Sequence, residues 1–129
     1  MELLAVYGTL KRGCGNHKYL SGSKFIGTGI TLEKFVLVVS VIPYCIPANL
    51  AGENGKYANQ IHVEVYEVNE EKLEEIDELE GHPFWYKREK VKVKLENGGV
   101  VDAWFYIYYH KIEGKIIFND DGTASYECK

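Results

Sequence analysis

Val6-Tyr7-Gly8-Thr9-Leu10-Lys11-Arg12-Gly13 marks the point where an apolar run, Leu3 to Val6, stops and a turn rich in glycine and basic residues begins. Glycines at such a point let the backbone come close to a ligand and aim its N–H groups at an anion or a carbonyl oxygen. A strand followed by an ordinary turn reads the same way, so the residues around it must decide. The Gly8 to Gly13 spacing matches the opening of a phosphate-binding loop. Cys14 and Gly15, however, stand where that loop needs Lys and Ser or Thr. No glycine follows Gly8 at the second position and no regular strand-helix alternation comes after it, so the dinucleotide pattern fails too.

The 129 residues suit one domain, 1–129, long enough to bury a core. A formal net charge of −4 argues against broad contact with nucleic acid or an anionic membrane. Lys11, Arg12 and Lys18 form only a local basic patch, and Lys11 and Arg12 are expected to stand idle at the rim of the Tyr7 to Gly13 turn. The longest apolar stretch, Phe35 to Ala48, is interrupted by Pro43 and Pro47 and is too short to cross a bilayer. Cys14, Cys45 and Cys128 are odd in number and widely spaced, which suggests neither a disulfide framework nor a zinc knuckle. With no secretory pattern after Met1, the expected setting is a reducing cytoplasm.

Ten tyrosines, five phenylalanines and two tryptophans favour strands. Strands are predicted near 2–7, 24–30, 35–41, 60–68, 86–95 and 100–109, with a short one at 115–118 and a long loop from Ile42 to Asn59. Val91, Val93 and Leu95 alternate with Lys90, Lys92 and Lys94, so this strand buries one face. Asn97-Gly98 is a hairpin turn. Val100 to Tyr109 is apolar on nearly both faces, with Trp104 and Phe105 as core candidates.

One helix is predicted over 70–80, from an Asn69 N-cap to a stop at Gly81 and Pro83. On its wheel Leu73, Ile76 and Leu79 mark the apolar face. Glu80 falls between Leu73 and Ile76, and Asp77 lies at the edge. Glu71, Glu74, Glu75 and Glu78 face solvent. A carboxylate on a core-facing stripe loses hydration, which raises its pKa toward the range of a general base. A last-turn residue that frays outward is the competing reading of Glu80.

With both segments in hand, the chain resembles the gamma-glutamylcyclotransferase-like (avirulence-induced-protein-like) superfamily, and within it gamma-glutamylamine cyclotransferase. VYGTLKRG with Asn16, His17 and Leu20, the strand VEVYEV at 63–68, and IDELEGHPFWYKR at 76–88 carry the resemblance. It implies an α+β fold, a small mixed, mainly antiparallel β-barrel with short helices. It also implies an enzyme whose Tyr7, Gly8, Thr9 and Leu10 hold a small-molecule gamma-glutamyl substrate, with Glu80 as catalytic acid/base. The substrate's own α-amine attacks its γ-carbonyl, giving 5-oxoproline and a free amine, with no metal, cofactor or covalent enzyme intermediate required. Tyr86 or Tyr108 would orient the substrate.

Val63 replaces the glycine that often precedes the glutamate of the family's GEVY strand, and its bulk is expected to narrow the pocket. The 42–59 loop and the tail after His110 match the amine-specific enzymes poorly, which leaves the gamma-glutamyl compound open. Cys14 and His17 lack a second pair at ligand spacing. His62 and His82 read as surface or structural histidines. Two alternatives stay beside the main reading: a non-catalytic small-ligand-binding module on the same barrel, and a cyclotransferase acting on a biosynthetic gamma-glutamyl intermediate. Nothing in the sequence sets an oligomeric state.

Overall fold

The computed structural model describes residues 1–128. Its strands are β1 (Glu2–Val6), β2 (Lys24–Ser40), β3 (Ile42–Ile46), β4 (Asn59–Val68), β5 (Lys87–Leu95), β6 (Val100–Ile107), β7 (Lys115–Ile117) and β8 (Thr123–Ala124). The α-helix is α1 (Glu70–Glu80), and short 3₁₀ turns occupy His17–Leu20, Ala48–Leu50 and Gly52–Tyr57. Strands β2, β5, β6, β1 and β4 pair in that order, and β4 pairs back to β2, closing a five-stranded barrel. Its ladders are antiparallel except β1 with β6, which run parallel, so the expected mixed barrel is the fold.

Period-2 alternation sorts the side chains into two cores. Ala5, Val63, Val65, Val91, Val93, Ala103, Phe105 and Ile107 pack together inside the barrel. Their sequence neighbours Leu4, Val6, Tyr66, Val68, Tyr106 and Tyr108 pack with Leu73 and Ile76 of α1 on the other face. Strand β6 therefore serves both cores, which explains its apolar character on both faces. Val63 belongs to the interior set, so its bulk does not narrow the pocket as expected; the alternation turns it away from the cavity.

Helix α1 is as predicted. The Asn69 side chain accepts a bond from the Lys72 N–H (2.7 Å), and Gly81 closes the helix in the left-handed region at φ 68°. Only Leu73 and Ile76 are buried. At about 1.5–3 kcal/mol for each such side chain, packing holds an eleven-residue helix that would be marginal alone.

Three expectations are corrected. Residues 24–30 and 35–41 belong to one strand, β2, whose pairing with β4 shifts between Ile30 and Lys34. There Thr31 Oγ1 accepts the Ile61 N–H at 2.9 Å, so a side chain bridges the irregularity. The 42–59 segment opens with β3, paired only to β2 at the sheet edge, where the proline at 43 is tolerated. The β2–β3 connection is the single residue Val41, exposed and held at φ 68°.

The third correction concerns the cysteines. Cys14 and Cys128 form a disulfide, with Cα atoms 5.7 Å apart, while Cys45 is free and buried. Folding brings together positions 114 residues apart in sequence, a proximity that spacing does not reveal. The thiol argument for a reducing compartment falls with it. Among the described residues, no helix is long and apolar enough to cross a membrane.

Candidate active site

Strand β1 carries the chain out of the barrel wall at Val6, and the turn that follows forms one side of a cavity of about 140 Å³. Tyr7, Gly8, Thr9, Leu10 and Asn16 line that side; Leu79 and Glu80 from the end of α1, Trp85, Tyr86, Tyr106, Ile42 and Pro43 complete it.

The turn is pinned on several sides. The Asn16 amide donates to Thr9 Oγ1 (2.9 Å), and His17 Nδ1 lies 2.9 Å from the Leu10 carbonyl oxygen. Glu64, buried on β4, accepts from the Arg12 backbone N–H and from the Tyr66 hydroxyl, both at 2.9 Å. Lys11 Nζ donates to the Tyr126 carbonyl (2.7 Å), and Cys14 is tied to Cys128. Lys11 and Arg12 are thus tethers of the turn and not idle rim residues; spacing alone does not show that Glu64 and the tail lie beside them.

Within this frame the N–H groups of Gly8, Thr9 and Leu10 donate to no protein acceptor among the described residues. Three uncommitted backbone donors in succession beside a cavity are available to a carbonyl oxygen or oxyanion placed there. Gly8 has a further reason to lack a side chain. A Cβ there would stand 2.7 Å from Pro43 Cγ, so the turn and β3 could not close the cavity between them.

Opposite the turn, Glu80 brings its carboxyl into the cavity. Burial alone raises its pKa from 4.5 to about 7. Asp77, one turn earlier, is committed elsewhere: it accepts from Arg88 Nε and from the Tyr106 hydroxyl, each at 2.7 Å. Two acidic residues on one helix therefore do different work. Asp77 locks Arg88 and the cavity-lining Tyr106, whereas the Glu80 carboxyl has no hydrogen-bond or ion-pair partner among the described residues.

The tyrosines divide similarly. Tyr7 and Tyr86 line the cavity with their hydroxyls spent on backbone. Tyr7 donates to the Tyr106 carbonyl (2.9 Å) and accepts from the Cys45 N–H (3.2 Å), and Tyr86 donates to the Pro43 carbonyl (2.8 Å). Burial pushes both phenols well above the ordinary value, so they stay neutral. Tyr108 does not line the cavity; its ring sits behind it, 4.6 Å from Tyr44 and 5.3 Å from Trp85. Sequence reasoning missed Tyr106 and Asn16. Tyr106 shares the strand face of Tyr108, and the strand's end at Ile107 is what separates them.

His62 and His82 are structural, bonded to Thr123 Oγ1 and to the Arg88 N–H respectively. Residues 4–123 match the family model described as gamma-glutamyl cyclotransferase, AIG2-like. The chain belongs to this family. It is accordingly an enzyme of the gamma-glutamylcyclotransferase type. It is 47% identical over 109 residues to a protein of Methanocaldococcus jannaschii named provisionally as a gamma-glutamylcyclotransferase, a match covering 84% of this chain and 85% of that one. Against the gamma-glutamylaminecyclotransferase of Rattus norvegicus the identity is 33% over 137 residues, 86% of this chain and 88% of the other. The crystal structure of an AIG2-like protein from Mus musculus superposes with a TM-score of 0.71 at 28% identity, covering 100% of this chain and 97% of that one.

Proposed function

We propose that this gamma-glutamylcyclotransferase family member releases 5-oxoproline and a free amine from a gamma-glutamyl amine or peptide, with Glu80 as general acid/base. The observation that carries the reading is the pairing, across one small cavity, of a carboxyl raised to about 7 with three uncommitted backbone N–H groups. Nucleophile and electrophile belong to one molecule, so the protein's task is to fold the substrate for ring closure and to move protons.

The substrate's α-ammonium group gives a proton to the Glu80 carboxylate, and the neutral amine attacks the γ-carbonyl carbon. A C–N bond forms as the carbonyl electrons move onto oxygen, where the N–H groups of Gly8, Thr9 and Leu10 receive the charge. The oxyanion then collapses, the bond to the departing nitrogen breaks as Glu80 returns its proton to that nitrogen, and the ring nitrogen gives up its surplus proton to the freed Glu80 carboxylate. Tyr7, Tyr86 and Tyr106 shape the cavity walls and keep their protons. Tyr108, behind the wall, supports Trp85. The cytoplasmic setting belongs to this reading and rests on the sequence alone.

Incubation with gamma-glutamyl-lysine isopeptide, gamma-glutamyl amino acids and glutathione, followed by mass spectrometry for 5-oxoproline, tests the reaction. Glu80→Gln is expected to keep the fold and lower product formation by about 10²-fold or more, the scale of a lost general base. Full activity in that variant would sink the mechanism. No product from any substrate, together with saturable binding, would favour the binding module.

A further inference from the structure

The inner cavity, about 140 Å³, is smaller than the roughly 300–1,000 Å³ of sites that enclose a drug-sized ligand. It suits a gamma-glutamyl group but not a whole gamma-glutamyl peptide. A second, wider cleft of about 510 Å³ adjoins it, and Trp85 lines both. Pro83, Phe84, Lys87, Glu89, Tyr109 and His110 form the rest of its wall.

Three aromatics stand open to solvent there: Phe84 at 88%, Trp85 at 50% and Tyr109 at 42% exposure. Trp85 is held in place by Tyr108 and Tyr44, at 5.3 and 6.4 Å between ring centroids. Phe84 stacks on no ring among the described residues. Lys87 and Glu89, two apart on β5, point to the same side of the strand. Glu89 already accepts the Tyr109 hydroxyl, whereas Lys87 has no acidic partner among the described residues. Among the described residues, Lys87 is the one lysine or arginine lining this cleft, and the neighbouring Glu89 keeps its carboxylate charge.

We propose that this cleft receives the leaving group, and that the preferred leaving group is an aromatic amino acid joined through its α-amine, its ring against Phe84, Trp85 and Tyr109 and its carboxylate toward Lys87. The proposal rests on the cyclotransferase reading above and deepens it. The shared residue Trp85 is what assigns the cleft to the same substrate, because a group leaving the inner cavity past Trp85 enters it.

The test compares gamma-glutamyl-phenylalanine with gamma-glutamyl-alanine. Wild type is expected to favour the first by about tenfold in kcat/KM, the effect of one or two good ring contacts, with the difference carried by KM. Phe84 is almost fully exposed, so Phe84→Ala folds, and it is expected to shrink that ratio to about threefold or less. Lys87→Met is expected to raise KM for gamma-glutamyl-phenylalanine. Equal kcat/KM for the two substrates in wild type, or a Phe84→Ala effect that is the same for both, overturns the subsite while leaving the cyclotransferase reading intact.

If wild type makes no 5-oxoproline at all, calorimetric titration with the same two compounds decides the subsite separately. Tighter binding of gamma-glutamyl-phenylalanine supports it, and equal or absent binding overturns it. A dimer in sedimentation that is lost in Phe84→Ala would give the patch to a second copy of the chain, and would also overturn the proposal.

Discussion

Glu80 ties activity and stability to one proton. Its carboxyl titrates near 7 in the fold and ordinarily near 4.5, so between those values the folded chain holds a proton that the unfolded chain has released. Stability attributable to Glu80 therefore falls as pH rises through that window and levels off above it. Glu80→Gln removes this burden. After allowance for partial solvent contact, the variant should be more stable than the parent by about 1–3 kcal/mol at pH 8 and equal to it at pH 4, as read by urea denaturation at both values. Activity should run the opposite way, with kcat/KM climbing to a plateau with a midpoint near 7. A midpoint at the ordinary carboxylate value would contradict the buried base. Glu80 was legible because it interrupts an apolar arc; the roles of Asp77 and Glu64 were not, because their partners Arg88, Tyr106 and Arg12 come from other elements.

Helix α1 presents Glu80 in its last turn, so its ends matter more than its middle. Asn69→Ala removes the bond to the Lys72 N–H and should cost about 1 kcal/mol, a drop of roughly 4 °C in Tm by calorimetry. Asn69 and Gly81 are local signals, which is why this element could be read to the residue. Strand β3 could not, since Pro43 and Pro47 suggest a loop until β2 is seen to supply its ladder on one side only. The Val41 turn joining them carries avoidable strain. A β-branched residue at φ 68° costs about 1–2 kcal/mol, and its side chain, 96% exposed, packs on nothing. Val41→Asn, which tolerates this region, should therefore raise Tm by a few degrees.

Alternation along each strand reveals which residues are apolar together, but not that five strands close into a ring. Closure depends on the parallel pairing of Leu4 with Trp104, a contact between segments about a hundred positions apart that no local pattern encodes. The disulfide from Cys14 to Cys128 was hidden for the same reason. That parallel pairing governs how the enzyme comes into being. The turn at Tyr7 to Leu10 hangs from a strand flanked by β4 and β6, so during synthesis its shape must await segments translated much later. A fragment lacking β6 loses the strand that flanks β1 on one side, and the turn loses that support with it. Loss of catalysis and loss of β-sheet signal in urea should then trace one curve; activity that disappears well before the sheet would show a site that opens while the ring remains closed.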